Sequence, residues 1–268
     1  TLEPAGLVRM AEKKRLAAIS ITDHDTVSGT GEAFEEGGKC GVQVISGVEL
    51  SVLKGKNYFH LLGYGFDWKN KKLASGLAVL QDSRRDRNDR ILEILHEMGI
   101  SIASNELAAL SAGGQIGRPH FARILVEKGV VKTIDQAFER FLKKGAPAYV
   151  SRFIYPVEEA IQLIKDAGGV TSFAHPVQLG YSLELLPGLL TELKDAGLDA
   201  LETYYPTQKG RIRKKLTGLA LHYGLLETGG SDYHGDIRPG TAMAGGHGFF
   251  VPGHILERLQ PHLRLRNH

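Results

Sequence analysis

The chain predicts an α/β fold: apolar runs of strand length recur along it, and amphipathic helical patterns separate several of them. A further observation concerns where those runs stop. Five segments carry metal-binding residue types at these stops: Thr22-Asp23-His24-Asp25 after LAAISI, Gly47-Val48-Glu49 after VQVI, His60-Leu61-Leu62-Gly63-Tyr64, Ala174-His175-Pro176 after GGVTSF, and Ser231-Asp232-Tyr233-His234 after LLETGG. The β/α alternation gathers strand C-termini around one mouth, so side chains carried there converge.

Taken in order, the first helix covers about residues 4–14, with Pro4 suited to its first turn and Leu7, Val8 and Ala11 at helical spacing. LAAISIT and VQVISGVELSV read as buried strands punctuated by Gly41 and Gly47. From about Asp67 the pattern is helical only. Ile91, Leu92, Leu95 and Met98 share one face, charge occupies the other, and Gly99 caps the end. SNELAALSAGG, RPHFARILVEKG and TIDQAFERFLKKG follow as helices with glycine stops, the last starting at Thr133 or Asp135. Alternation then resumes through PVEEAIQLIKDAGG, VTSFAHP, GLLTELKDAGLDALETYYP, RIRKKLTGLALHYG and LLETGGSDYHG. The chain is thus read as an α/β core over residues 1–66 and 149–268 with an all-helical insertion over residues 67–148.

The donors define the chemistry. Imidazole and carboxylate together suit zinc, manganese or iron, and no thiolate set competes, because Cys40 is the only cysteine. A mixed His/Asp/Glu set is typical of catalytic sites, since structural zinc recruits cysteines. His24, Glu49, His60, His175, Asp232 and His234 are the candidate ligands, because strand-end placement repeats among them. Asp23 and Asp25 are placed to orient His24, while Asp25, before Thr26 and Ser28, equally fits an ordinary turn or helix cap. Hydrolysis assisted by two or more ions is the natural inference.

Composition bounds this reading. With 268 residues, 42 % hydrophobic and 24 % charged, the chain can bury a full core. No apolar stretch approaches membrane-spanning length, and one cysteine leaves no internal disulfide, so a cytoplasmic enzyme is expected. A net charge of +3 argues against a protein that coats nucleic acid, and no stable nucleic-acid complex is expected. KGRIRKK reads as a solvated helix face.

ITDHDTVSG, GVELS, HLLGYGFD, FAHP and GSDYHG, in this order between residue 1 and about Pro252, resemble the polymerase and histidinol phosphatase (PHP) family, in its nucleotide-phosphatase branch. The resemblance implies a distorted seven-stranded (β/α) barrel, two or three divalent ions and phosphoester hydrolysis. By position, it implies that Glu49 bridges two ions, His60 and His175 complete one site, Asp232 serves a second, and His24 with His234 a third. Members of the family open with a His-x-His strand and a ligating aspartate. Here Thr1-Leu2-Glu3-Pro4 leads into the first helix, so that strand is read as missing.

Within the insertion, Gly117-Arg118-Pro119-His120 combines a planar guanidinium fork with an imidazole at a helix start. The residues alone fit phosphate binding and a plain helix N-terminus equally, and the resemblance favours the first. Arg152 is a weaker companion. The expected activity is hydrolysis of a phosphate monoester of a small nucleotide, such as a nucleoside 3′,5′-bisphosphate, by attack of metal-bound hydroxide. Arg118, His234 and Asp23 are the candidate catalytic residues, with Arg118 stabilising charge and His234 assisting proton transfer. The alternatives are a 5′-3′ exonuclease on short RNA and a catalytically silent metal or nucleotide binder.

Overall fold

The computed structural model describes residues 2–111, 114–179, 183–235, 241–244 and 246–263. They divide into two compact units, one of Leu77–Phe153 and one of Leu2–Gly76 with Ile154–His268. The first crossing between them, Gly76 to Leu77, falls inside a single long helix, Lys71–Glu97.

In the larger unit the described strands are β1 (Ala18–Ile21), β2 (Gln43–Lys54), β3 (Asn57–Tyr64), β4 (Tyr155–Pro156), β5 (Val170–Phe173), β6 (Ala200–Tyr204) and β7 (Leu226–Gly229). They hydrogen-bond in the order β1-β2-β3-β5-β6-β7, with β4 beside β2, so the described path is open at β1 and at β7. Pairing is parallel except where β3 runs against both β2 and β5. The result is an α/β fold around a mostly parallel sheet. Position in the sheet sets burial: all four residues of β5 are buried, whereas all four of β1, at an end of the path, are partly exposed. The polar side chains of β5 are satisfied inside. Thr171 donates through both N and Oγ1 to Asp199, at 3.0 and 2.9 Å, and Ser172 shares a 2.6 Å hydrogen bond with Thr228.

Helices cover the sheet. Helix α1 (Pro4–Lys13) and helix α2 (Thr30–Cys40) bury Val8, Ala11 and Ala33 against Val42 and Val44. Leu62, Tyr64, Val170 and Ala174 pack with Leu259 and Leu263 from the end of the described chain.

One contact fixes the approach of β1 to β2. A Cβ on Gly47 would stand 2.1 Å from Ser20 Oγ and 2.8 Å from the backbone oxygen of Ile21, which cannot retreat without breaking the β1–β2 ladder. Gly47→Ala is therefore expected to cost about 1–3 kcal/mol of stability. A wild-type denaturation midpoint would contradict this.

In the smaller unit, Ile91, Leu95, Leu107, Phe121, Leu125 and Phe141 are among the residues of a separate apolar core. Its helices include Ser104–Ser111, Arg118–Glu127 and Ile134–Ala137, the last running into a π-turn over Phe138–Leu142. Thr133 is the start of the third, its hydroxyl accepting from Gln136 N at 3.2 Å. Two expectations on the long helix change. Met98 is exposed, and Arg84 and Arg87, read as part of a charged outer face, are buried, as is Asn88.

Candidate metal centre

The centre is built on Glu49, inside β2. Beyond the end of β1 the chain stays in register with β2: Glu49 N donates to Asp23 O at 3.2 Å, Asp25 N donates to Glu49 O at 2.9 Å, and His24 stands beside Glu49. On the other side, the β2–β3 hairpin turns at Gly55, with φ of 59°, and sets His60 opposite Ser51. His60 therefore lies within an antiparallel strand rather than at a strand C-terminus. His175 follows β5 after Ala174.

Glu49 presents its two oxygens to different imidazoles. Oε1 is 2.7 Å from His60 Nδ1 and 3.1 Å from His175 Nε2, and Oε2 is 3.6 Å from His24 Nε2. The facing nitrogens of His60 and His175 are 3.3 Å apart. Donor atoms of His24, Glu49 and His60 all lie within 4.8 Å of one another. This set fits a divalent cation: ring nitrogens converge on a carboxylate that is only 5 % exposed, and a positive charge is what such a cluster attracts.

The electrostatics agree. Burial acts to raise the pKa of Glu49, but the surrounding His24, His60 and His175 outweigh it and hold the carboxyl well below its ordinary value. For His175, burial acts to lower the pKa, and hydrogen bonding to Glu49 with the fields of Glu49, Glu202 and Asp232 raises it instead.

Asp232 and His234 form an adjacent pair after β7. His234 Nδ1 is 3.3 Å from Asp232 Oδ1, and Asp232 Oδ2 accepts from the Tyr205 hydroxyl at 2.8 Å. Burial raises the pKa of Asp23, opposed by the field of His234.

The residues expected to bind phosphate lie in the helical unit. Arg118 Nη1 donates to Leu142 O at 3.2 Å, and its guanidinium lies 5.4 Å from the centre of the Tyr149 ring. His120 Nδ1 accepts from Gly117 N at 3.0 Å at the helix start, and burial lowers its pKa. Arg152 Nη1 donates to Phe153 O at 3.2 Å.

Sequence reasoning did not find Glu202 and Tyr205. Burial drives the pKa of Glu202 up to about 8, and its Oε2 accepts from the backbone N–H of His175 at 2.7 Å. The available signal was a lone carboxylate within the apolar β6 run.

A buried carboxylate shared among imidazoles beside a mostly parallel sheet defines an α/β protein with a candidate metal centre of the hydrolase type. The chain belongs to the PHP domain family, whose sequence pattern matches residues 1–150. It is 32 % identical over 235 residues to the 5′-3′ exoribonuclease Rnm of Escherichia coli, covering 87 % of this chain and 80 % of that protein. It is 31 % identical over 241 residues to the 3′,5′-nucleoside bisphosphate phosphatase of Chromobacterium violaceum, covering 87 % of this chain and 82 % of that one. A solved structure from Bifidobacterium adolescentis, provisionally assigned as a metal-dependent phosphoesterase, superposes with a TM-score of 0.84 at 28 % identity, covering 98 % of this chain and 92 % of that one.

Proposed function

We propose that the protein hydrolyses a phosphate monoester of a small nucleotide, a nucleoside 3′,5′-bisphosphate being the first candidate. The observation that carries this reading is the division of Glu49, with Oε1 toward His60 and His175 and Oε2 toward His24, which suits a carboxylate bridging two cations. Two or three divalent ions of manganese, zinc or iron would be held by His24, Glu49, His60, His175, Asp232 and His234. Such ions activate water and neutralise charge on phosphoryl oxygens.

The residues of the chain supply the rest. His234, next to Asp232, would move a proton to or from the reacting oxygens, and Asp23 would orient the neighbouring His24. Arg118, with His120 and Arg152, would bind substrate phosphate; the support is the guanidinium fork and the family resemblance of this segment. The sheet would close into a barrel if a further strand paired with both β1 and β7. Among the described residues no helix is long and apolar enough to cross a membrane, and with a single cysteine the expected setting is the cytoplasm.

The similarity to an exoribonuclease, as high as that to the phosphatase, favours trimming of short RNA as the second reading. Incubation with manganese and either a nucleoside 3′,5′-bisphosphate or a 5′-phosphorylated RNA pentamer separates them. Release of inorganic phosphate from the bisphosphate supports the proposal, and faster shortening of the pentamer supports the second reading. Binding of both without turnover would leave a silent binder.

A further inference from the structure

Two of the proposed ligands have backbone that side-chain-bearing residues rarely adopt: His175 has φ of 27° and Asp232 has φ of 49°. Such conformations persist where neighbours over-determine them, and they collect at functional sites. Both residues are tied to one short stretch at the end of β6. The backbone N–H of His175 donates to Glu202 Oε2 at 2.7 Å, and the Tyr205 hydroxyl donates to Asp232 Oδ2 at 2.8 Å. The Tyr205 ring also lies 5.4 Å from the His175 imidazole, centre to centre.

The spacing of this pair needs explaining, because strand alternation sends residues three apart to opposite faces. The register of β6 against β7 shifts between Glu202 and Tyr204, and a shift of this kind re-aims the side chains that follow it. Glu202 and Tyr205 can thereby serve the same site. Both are buried and held: Gln208 Nε2 donates to Glu202 O at 2.9 Å, and the Gln178 amide donates to the Tyr205 hydroxyl.

We propose that Glu202 and Tyr205 are positioning residues for the metal centre, Glu202 fixing the peptide that aims His175 and Tyr205 fixing the carboxylate of Asp232. The inference rests on the reading of His175 and Asp232 as metal ligands. Tyr205 holds Oδ2 of Asp232, and His234 Nδ1 stands 3.3 Å from Oδ1. Neither residue need touch the substrate. Their effect is on the geometry of the residues that do the binding.

The test uses the full chain, manganese titration by calorimetry, and the visible absorption spectrum of the cobalt(II)-loaded protein. Tyr205→Phe keeps the ring and removes the hydroxyl. It is expected to weaken manganese binding about tenfold to a hundredfold, alter the cobalt spectrum and lower kcat with little change in KM, while the melting temperature of the metal-free protein falls by only about 2–4 °C. Glu202→Gln retains an acceptor for His175 N–H and should restore most of the affinity lost in Glu202→Leu. Wild-type affinity and cobalt spectrum in Tyr205→Phe would overturn the role of Tyr205. Equal binding by Glu202→Leu and Glu202→Gln would overturn that of Glu202. A wild-type protein that takes up neither metal would overturn the metal reading itself, and this inference with it.

Discussion

Glu49→Gln is expected to lower hydrolysis by about a thousandfold or more and to strip most of the bound metal. The amide matches the carboxylate in shape and can still accept from His60 or His175, so the fold should survive. What it lacks is charge. The carboxyl of Glu49 is held well below its ordinary pKa by the imidazoles around it, so it is a full anion over the working pH range. Its oxygens face His60 and His175 on one side and His24 on the other, and loss of the anion should therefore weaken more than one ion at once. Metal analysis beside a phosphate-release assay checks this. Wild-type metal content in the variant would remove Glu49 from the centre of the account.

Arg118→Ala should leave metal content unchanged and lower kcat/KM on a nucleotide by about tenfold to a thousandfold, as expected when a charge-assisted contact to a phosphoryl group is lost. Arg118→Lys should recover only part of this, since lysine supplies charge without the planar fork. The residue also has a structural task, donating to Leu142 O, and removal of that hydrogen bond should cost about 1 kcal/mol. The two roles separate cleanly. Lower stability with intact turnover would make the segment a helix start and nothing more.

Much of this architecture was legible in the sequence because it rests on local periodicity. The apolar runs before His24, His175 and Asp232 are strands, and Thr133 caps its helix as its hydroxyl allows. The direction of β3 was not legible. It depends on a hairpin whose turn, Gly55-Lys56, offers one glycine and otherwise reads as a charged surface segment. Arg84 and Arg87 were misread because charge was taken to mean exposure. With Asn88 they in fact continue the stripe of Leu77, Leu80, Ile91 and Leu95 at helical spacing, and all seven are buried. Glu202 and Tyr205 escaped notice because an irregularity of register, invisible in strand alternation, accompanies their common task.

The most direct test of the metal centre is the metal content and phosphate release of protein purified without chelator, before and after treatment with EDTA and again after manganese is returned. More than one equivalent of divalent transition metal, activity lost with the chelator, and activity restored with manganese are the predicted results. Protein that holds no such metal, or that releases phosphate equally well in the presence of EDTA, would contradict the account.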